Sequence, residues 1–188
     1  MSKRIWVIHG RFQGLHIGHM EYLLEGKKRC DFLYIGITNP DASFIVKNDT
    51  DGLRSTELAN PFTYFERLEM VRDAMLEYGI PREEFEIVPF PIHHPNLLHF
   101  YTPLDATYFL TIYDNRGTYK YEEFKKLKLK IDVMREKDFS EKTCSWTRVR
   151  EMMANNEDFS NFVPKSTYTY IKEHWLDKRV KQLAKKYS

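Results

Sequence analysis

Cysteine is scarce in this chain: two residues in 188, Cys30 and Cys144, widely separated. That is too few and too scattered for a disulfide framework, and the expectation is a reducing compartment, the cytoplasm. Net charge is low as well, +2 from 29 Lys and Arg against 27 Asp and Glu. This removes the global electrostatic case for nucleic acid or an anionic membrane as partner. Long apolar runs are lacking. Ile5-Trp6-Val7-Ile8 follows Ser2-Lys3-Arg4 and ends at His9, too short for a signal or membrane segment. There is no low-complexity tract and no internal repeat. What remains is the composition of a folded protein, with 15% aromatic residues. The length suits one domain with a real core. We expect a single domain over 1–188, its C-terminal part (about 147–188) helical.

Apolar runs alternate with segments of helical period. Strands are expected over Arg4–His9, Asp31–Thr38, Glu86–Phe90, Ala106–Tyr113 and Leu129–Met134. Helices are expected over His19–Arg29, from Pro61 to Gly79, and over Tyr121–Leu127, Thr147–Asn155 and Thr167–Lys186. In the second of these, Thr63 and Glu66 have capping-box spacing, and Phe65, Leu68, Val71, Met75 and Tyr78 are read as the buried face. Residues 39–60 have no apolar period and read as a long loop. Such alternation implies an α/β fold: a Rossmann-like parallel sheet of five or six strands, helices on both faces, and C-terminal helices. Ligands of such sheets bind beyond the carboxyl ends of the strands.

The first strand runs into Gly10-Arg11-Phe12-Gln13-Gly14-Leu15-His16-Ile17-Gly18-His19. Gly10 and Gly14 let backbone approach a ligand. The helix start at Gly18-His19 favours anions, and His16 and His19 can donate hydrogen bonds to phosphate oxygens. An isolated His-x-x-His is more often chance or capping. The strand, the glycines, Arg11 and the helix start together change that balance. A second cluster, Ser145-Trp146-Thr147-Arg148-Val149-Arg150, also opens a helix. On its own it reads as a capped helix with solvent-facing arginines; beside the first motif it reads as a second phosphate grip.

His16-Ile17-Gly18-His19 resembles the His-x-Gly-His signature of the nucleotidyltransferase superfamily. The longer Gly10–His19 stretch, Asn60-Pro61-Phe62-Thr63-x-x-Glu66-Arg67, Ser145-x-Thr147-x-Val149-Arg150 and Phe162-Val163-Pro164 are similar, in order, to blocks of the archaeal-type nicotinamide-nucleotide adenylyltransferases. Class I aminoacyl-tRNA synthetases share the first element. They are set aside because this chain is too short and lacks their lysine-rich second signature.

The resemblance implies a cytoplasmic enzyme that transfers AMP from ATP to nicotinamide or nicotinate mononucleotide, giving NAD (or its acid analogue) and pyrophosphate. His16, His19, Arg11 and Arg150 would carry catalysis. Gly10, Phe12, Gln13, Gly18, Asn115, Ser145 and Thr147 would bind the nucleotide, and Thr38, Asn39, His99 and Phe100 the acceptor. Mg²⁺ would enter with ATP, held by substrate oxygens and water rather than by a protein metal site. His93, His94 and His99 suggest a metal site only weakly, since no carboxylate or cysteine supports them. Partners are expected to be small molecules only, with neither nucleic acid nor membrane; a homo-oligomer is open because the superfamily often assembles.

The chain departs from the family pattern in three places. Trp146 stands where the family has a small residue. His99 or Phe100 falls where it has a stacking tryptophan. The 39–60 segment is longer, and Pro40-Asp41 replaces small polar residues. These departures keep an alternative alive: a related cytidylyl- or adenylyltransferase acting on another phosphate or phosphonate acceptor. A nucleotide-binding regulator without turnover is disfavoured by the intact His and Arg set. A helical DNA binder rests only on the basic last helix, and the low net charge opposes it.

Overall fold

Short runs rich in Ile, Val, Tyr and Phe, bounded by turns, form the strands because such side chains fit a pleated surface covered on both sides. The structure, a computed structural model, describes residues 3–41, 55–112, 115–134 and 144–187, with backbone only for Asn115, Arg116 and Met134. Five strands are β1 (Ile5–Gly10), β2 (Phe32–Thr38), β3 (Phe85–Phe90), β4 (Thr107–Thr111) and β5 (Lys130–Met134). They form a parallel five-stranded sheet in the order β3-β2-β1-β4-β5. The Rossmann-like α/β fold expected from the sequence is thus present, with five strands among the described residues. The order reverses between β1 and β4, and the crevice at such a switch point is where these sheets take ligands.

Six α-helices are described: α1 (Ile17–Lys28), α2 (Tyr64–Glu77), α3 (Asn115–Lys126), α4 (Trp146–Asn155), α5 (Lys165–Glu173) and α6 (Leu176–Tyr187). None is long and apolar enough to cross a membrane. The chain divides into two compact units. One comprises Met1–Arg11, Glu21–Pro40 and Pro81–Thr143; the other comprises Phe12–Met20, Asp41–Ile80 and Cys144–Ser188.

The first unit holds the sheet. On one face, Val7 and Tyr108 pack with Phe124 of α3 and with Phe90, Leu98 and Leu110. On the other face lie Ile8 and Phe109. There the Tyr22 hydroxyl donates to Phe109 O at 3.1 Å, and Gly26 brings α1 so close that a Cβ would stand 3.1 Å from Ile8 Cδ1. Helices therefore cover both faces, as strand alternation requires.

The second unit is helical. Phe62, Met70, Trp146, Val149, Met153, Phe159, Val163, Ile171, Leu176 and Val180 are among the residues of its core. The Thr63–Glu66 capping box is formed: Glu66 N donates to Thr63 Oγ1 at 3.2 Å, and Thr63 N donates to Glu66 Oε2 at 2.8 Å. At the other end of α2, Gly79 is left-handed (φ 78°). Ile80 N donates to Met75 O and Gly79 N to Leu76 O, both at 3.0 Å, closing the helix in a Schellman motif.

Two expectations need correction. The buried face of α2 is Arg67, Met70, Val71, Ala74 and Met75, whereas Phe65 is 64% and Tyr78 38% exposed. The buried stripe begins with a charged residue, so a reading guided by hydrophobicity starts it in the wrong place; Arg67 Nε donates to Thr63 O at 3.1 Å. The C-terminal helix is broken: α5 ends at Glu173, and α6 starts at Leu176 after Trp175 turns left-handed at φ 58°. Thr167 and Ile171, then Leu176 and Val180, are the buried positions. Each pair has a helical spacing of four, but the step from 171 to 176 is five, which would swing the apolar stripe about 140° around a continuous helix. Pro164 gives α5 no side-chain cap, and the Glu77 carboxylate supplies one, accepting from Lys165 N at 3.1 Å and Ser166 N at 2.7 Å. Of the long 39–60 loop, residues 42–54 lie outside the described part, and 55–60 form turns in which Asn60 N donates to Thr56 O at 3.2 Å.

Candidate active site

The loop between β1 and α1 is built from non-helical backbone. Phe12 holds φ 47° and Gly14 φ 75°. For a bulky residue such as Phe12 that region is strained, at a cost of roughly 1–3 kcal/mol, which persists only where the surroundings enforce it. The Phe12 ring is buried and meets the His19 ring edge-on, with centroids 5.3 Å apart at 74°. The Phe12 ring thus buttresses a histidine.

The next residue shows the same pattern. Gln13 is buried and spends both ends of its amide on Phe62: Nε2 donates to Phe62 O at 3.1 Å and Oε1 accepts from Phe62 N at 3.0 Å. Gly14 is required twice over, because its φ is positive and because the Trp146 ring occupies the space a Cβ would need.

His16 and His19 stack, with ring centroids 3.8 Å apart at 23°. His16 O accepts from His19 N at 2.8 Å and Met20 N at 3.2 Å, so the motif forms the first turn of α1. His16 N makes a long contact of 3.5 Å to His19 Nδ1, which favours the tautomer with the His19 proton on Nε2. Gly18 makes room for the stack, since a Cβ there would lie 3.3 Å from the His16 ring.

Ser145 caps α4 through Arg148 N, which donates to its Oγ at 3.3 Å, while Thr147 and Arg148 are exposed. Arg148 lies over the Phe162 ring at 4.9 Å. Arg150 is half-buried, and its guanidinium donates to Leu58 O at 3.3 Å. Burial lowers its pKa below the usual arginine value, with Glu151 opposing; a guanidinium remains charged at neutral pH. Trp146 is buried against Phe62 with ring centroids 5.4 Å apart, and its indole Nε1 has no hydrogen-bond partner. Thus His16, His19, Gln13 and Gly18 from the first motif share one unit with Ser145, Thr147 and Arg150 from the second.

The other expected residues belong to the sheet unit. Gly10 ends β1, and Arg11 follows it half-buried. Thr38 ends β2 buried, in register with Phe90, and Asn39 turns left-handed at φ 50°. His99 and Phe100 lie in a 3-10 turn (Pro95–Phe100), ring against ring at 4.0 Å; His99 Nδ1 contacts Asn96 O at 2.8 Å, and Phe100 is 70% exposed. Asn115 opens α3, and its side chain lies outside the described part. Among the described residues, no three His, Cys, Asp or Glu are arranged to hold a metal ion.

His9 was not singled out from the sequence. It is the last inward-facing residue of β1, buried, with its ring stacked on Phe90 at 4.7 Å and 5.6 Å from Phe124. Burial, and then the charge of Lys120, hold its pKa well below the usual histidine value, so it is neutral. Its signal was a polar residue on the buried side of an apolar strand.

Residues 7–157 match the family model described as cytidylyltransferase-like. A phosphonoformate cytidylyltransferase of Streptomyces viridochromogenes is 42% identical over 175 residues, 93% of this chain and 94% of the relative. A nicotinamide-nucleotide adenylyltransferase of Saccharolobus solfataricus is 27% identical over 175 residues, 93% of each chain. Among solved structures, a bifunctional NMN adenylyltransferase/ADP ribose pyrophosphatase of Francisella tularensis is similar in fold, with TM-score 0.67 at 16% identity; the match covers 96% of this chain and 52% of that one, about half its length.

Proposed function

Because the chain belongs to the cytidylyltransferase-like family, we propose that it transfers a cytidylyl group from CTP to a small phosphonate acceptor, releasing pyrophosphate. The observation that carries the acceptor and the base is the 42% identity to a phosphonoformate cytidylyltransferase over nearly the full length of both chains. Adenylyl transfer to nicotinamide mononucleotide, the reading first suggested by the motifs, is the second reading; it is supported by relatives at 27–30% identity.

The chemistry is an in-line displacement. An anionic oxygen of the acceptor forms a bond to the α-phosphorus, the bond to the bridging oxygen breaks, and pyrophosphate leaves with that electron pair. The nucleophile is already ionised, so positioning and charge neutralisation supply the catalysis, and no protein base is needed. His19 donates from Nε2 to a phosphate oxygen, with the stacked His16 and the buried Phe12 ring fixing its plane. Arg150 supplies permanent charge for phosphate oxygens; Arg11 carries the same kind of charge just past β1. The divalent charge of a Mg²⁺ ion entering on the triphosphate would complement these cations.

The test is pyrophosphate release with Mg²⁺, crossing CTP and ATP against phosphonoformate, nicotinamide mononucleotide, nicotinate mononucleotide and no acceptor. The fastest release is expected with CTP and phosphonoformate. Faster release with ATP and either mononucleotide would overturn the proposal in favour of the second reading.

A further inference from the structure

A diacid acceptor poses a recognition problem that the transfer chemistry leaves open. One acidic group attacks; the other does not react and still carries charge. We infer that His9, His93 and Lys120 form the subsite that holds the non-reacting acidic group of the acceptor. The inference rests on the phosphonate-transfer reading above.

All three residues lie in the sheet unit, and packing places them together. His9 stands at the carboxyl end of β1, beside the point where the strand order reverses. Its ring lies between Phe90, at the end of β3, and Phe124 of α3. Each aromatic neighbour carries a basic residue with it. Lys120 precedes Phe124 by one helical turn on the same face of α3. His93 follows Phe90 by three residues, in a turn closed by His94 N donating to Pro91 O at 2.9 Å and preceded by Ile92 N donating to Phe90 O at 2.9 Å.

A second observation points to a ligand. His9 is more than nine-tenths buried, yet its Nδ1 has no hydrogen-bond partner. A buried imidazole with an unsatisfied nitrogen calls for an explanation, and an acidic ligand supplies one. The electrostatic surroundings agree. The positive charge of Lys120 acts on both His9 and His93. The His9 imidazole is withdrawn from water, where hydrogen bonds to an anion gain strength, while His93 is exposed.

The experiment uses the full chain, with phosphonoformate as probe and inorganic phosphate as its single-group control. Steady-state kinetics with CTP and phosphonoformate are compared for wild type, Lys120→Gln and His93→Gln. The expected result is a phosphonoformate KM raised about 10–100-fold in Lys120→Gln and less in His93→Gln, with the CTP KM within about twofold of wild type. In parallel, imidazole ¹⁵N resonances are followed as phosphonoformate is added without CTP. Shifts at His9 and His93 are expected in wild type, stronger than with phosphate, and lost in Lys120→Gln. Turnover of phosphonoformate with an unchanged KM in Lys120→Gln would leave the reaction standing and overturn the subsite. Histidine shifts without turnover would keep the subsite and overturn the reaction. Absence of shifts with either probe would overturn the subsite.

Discussion

The side-chain amide of Gln13 closes a two-point clamp on the backbone of Phe62, donating to its carbonyl at 3.1 Å and accepting from its N–H at 3.0 Å. The clamp ties the histidine loop to the segment that leads into α2. Arg179 of α6 fixes the same segment, donating to Pro61 O at 3.1 Å. Gln13→Ala would leave both Phe62 groups buried without partners, and the expected loss is about 2–4 kcal/mol of stability. Urea unfolding of wild type and variant measures it. A nucleotide ligand would behave differently: the variant would keep its unfolding midpoint and show a raised KM for the triphosphate.

The parts of this protein legible in the sequence are those in which one local signal meets one physical demand. Thr63 and Glu66 sit at capping-box spacing and form the box. Ile- and Val-rich runs become central strands because both faces are covered. Gly14, read as a place of close approach, is one, with the Trp146 ring against it. What stayed hidden depends on partners distant in sequence. Gln13 reads as a nucleotide ligand, and nothing near it in sequence announces that Phe62 takes both ends of its amide. Arg67 entered the sequence reading only as the end of a family-like block, yet it is 1% exposed. The break before α6 was there to read, in the five-residue step from Ile171 to Leu176, but the basic, polar composition of the segment masks it.

Gly14 and Trp146 form the tightest contact of the loop. Gly14→Ala places a methyl group into the Trp146 ring and demands φ 75° of a residue with a Cβ. The expected cost is about 2–4 kcal/mol. In a Trp146→Leu background the steric part of that cost should vanish, leaving the backbone part and a coupling of at least about 1 kcal/mol in a double-mutant cycle. Thermal or urea unfolding of the four proteins checks this. Additive effects would mean that the ring yields freely. Trp146→Phe keeps a ring over Gly14 and deletes an N–H that has no partner, so a loss below about 1.5 kcal/mol is expected.

Arg179 grips Glu66 with two hydrogen bonds of 2.8 Å. Burial works to raise the Glu66 pKa, but the Arg179 bonds and the Thr63 backbone bond outweigh it, and the value lies below that of an ordinary glutamate. The folded pKa is therefore lower than the unfolded one. The resulting stability is fully present above the unfolded value, about 4.3, and is lost as pH falls through the folded value. Arg179→Met should cost about 1–2 kcal/mol at neutral pH, discounted because the Arg179 side chain is 40% exposed. The same substitution should flatten the acid limb of the stability profile. Urea midpoints measured from pH 7 to 3 for both proteins test it; parallel acid limbs would show that Glu66 gains its low pKa elsewhere.

The two stacked histidines should respond differently to removal, because their surroundings differ. His16 is buried at 8% exposure beneath the space kept open by Gly18, whereas His19 is half-buried and leans on the Phe12 ring. On the proposed mechanism His19→Ala removes a donor to phosphate charge, and turnover should fall about 10²–10³-fold, with the unfolding midpoint nearly unchanged. His16→Ala also opens a cavity beside the first turn of α1, so it should lose both turnover and stability, the latter by about 1–3 kcal/mol. His19→Asn, which retains an N–H donor on a shorter side chain, should recover part of the turnover if donation to phosphate is the function of that ring. Pyrophosphate release and thermal unfolding of the three variants separate these effects. Near-normal turnover in folded His19→Ala would remove His19 from the reaction and leave the stack as packing.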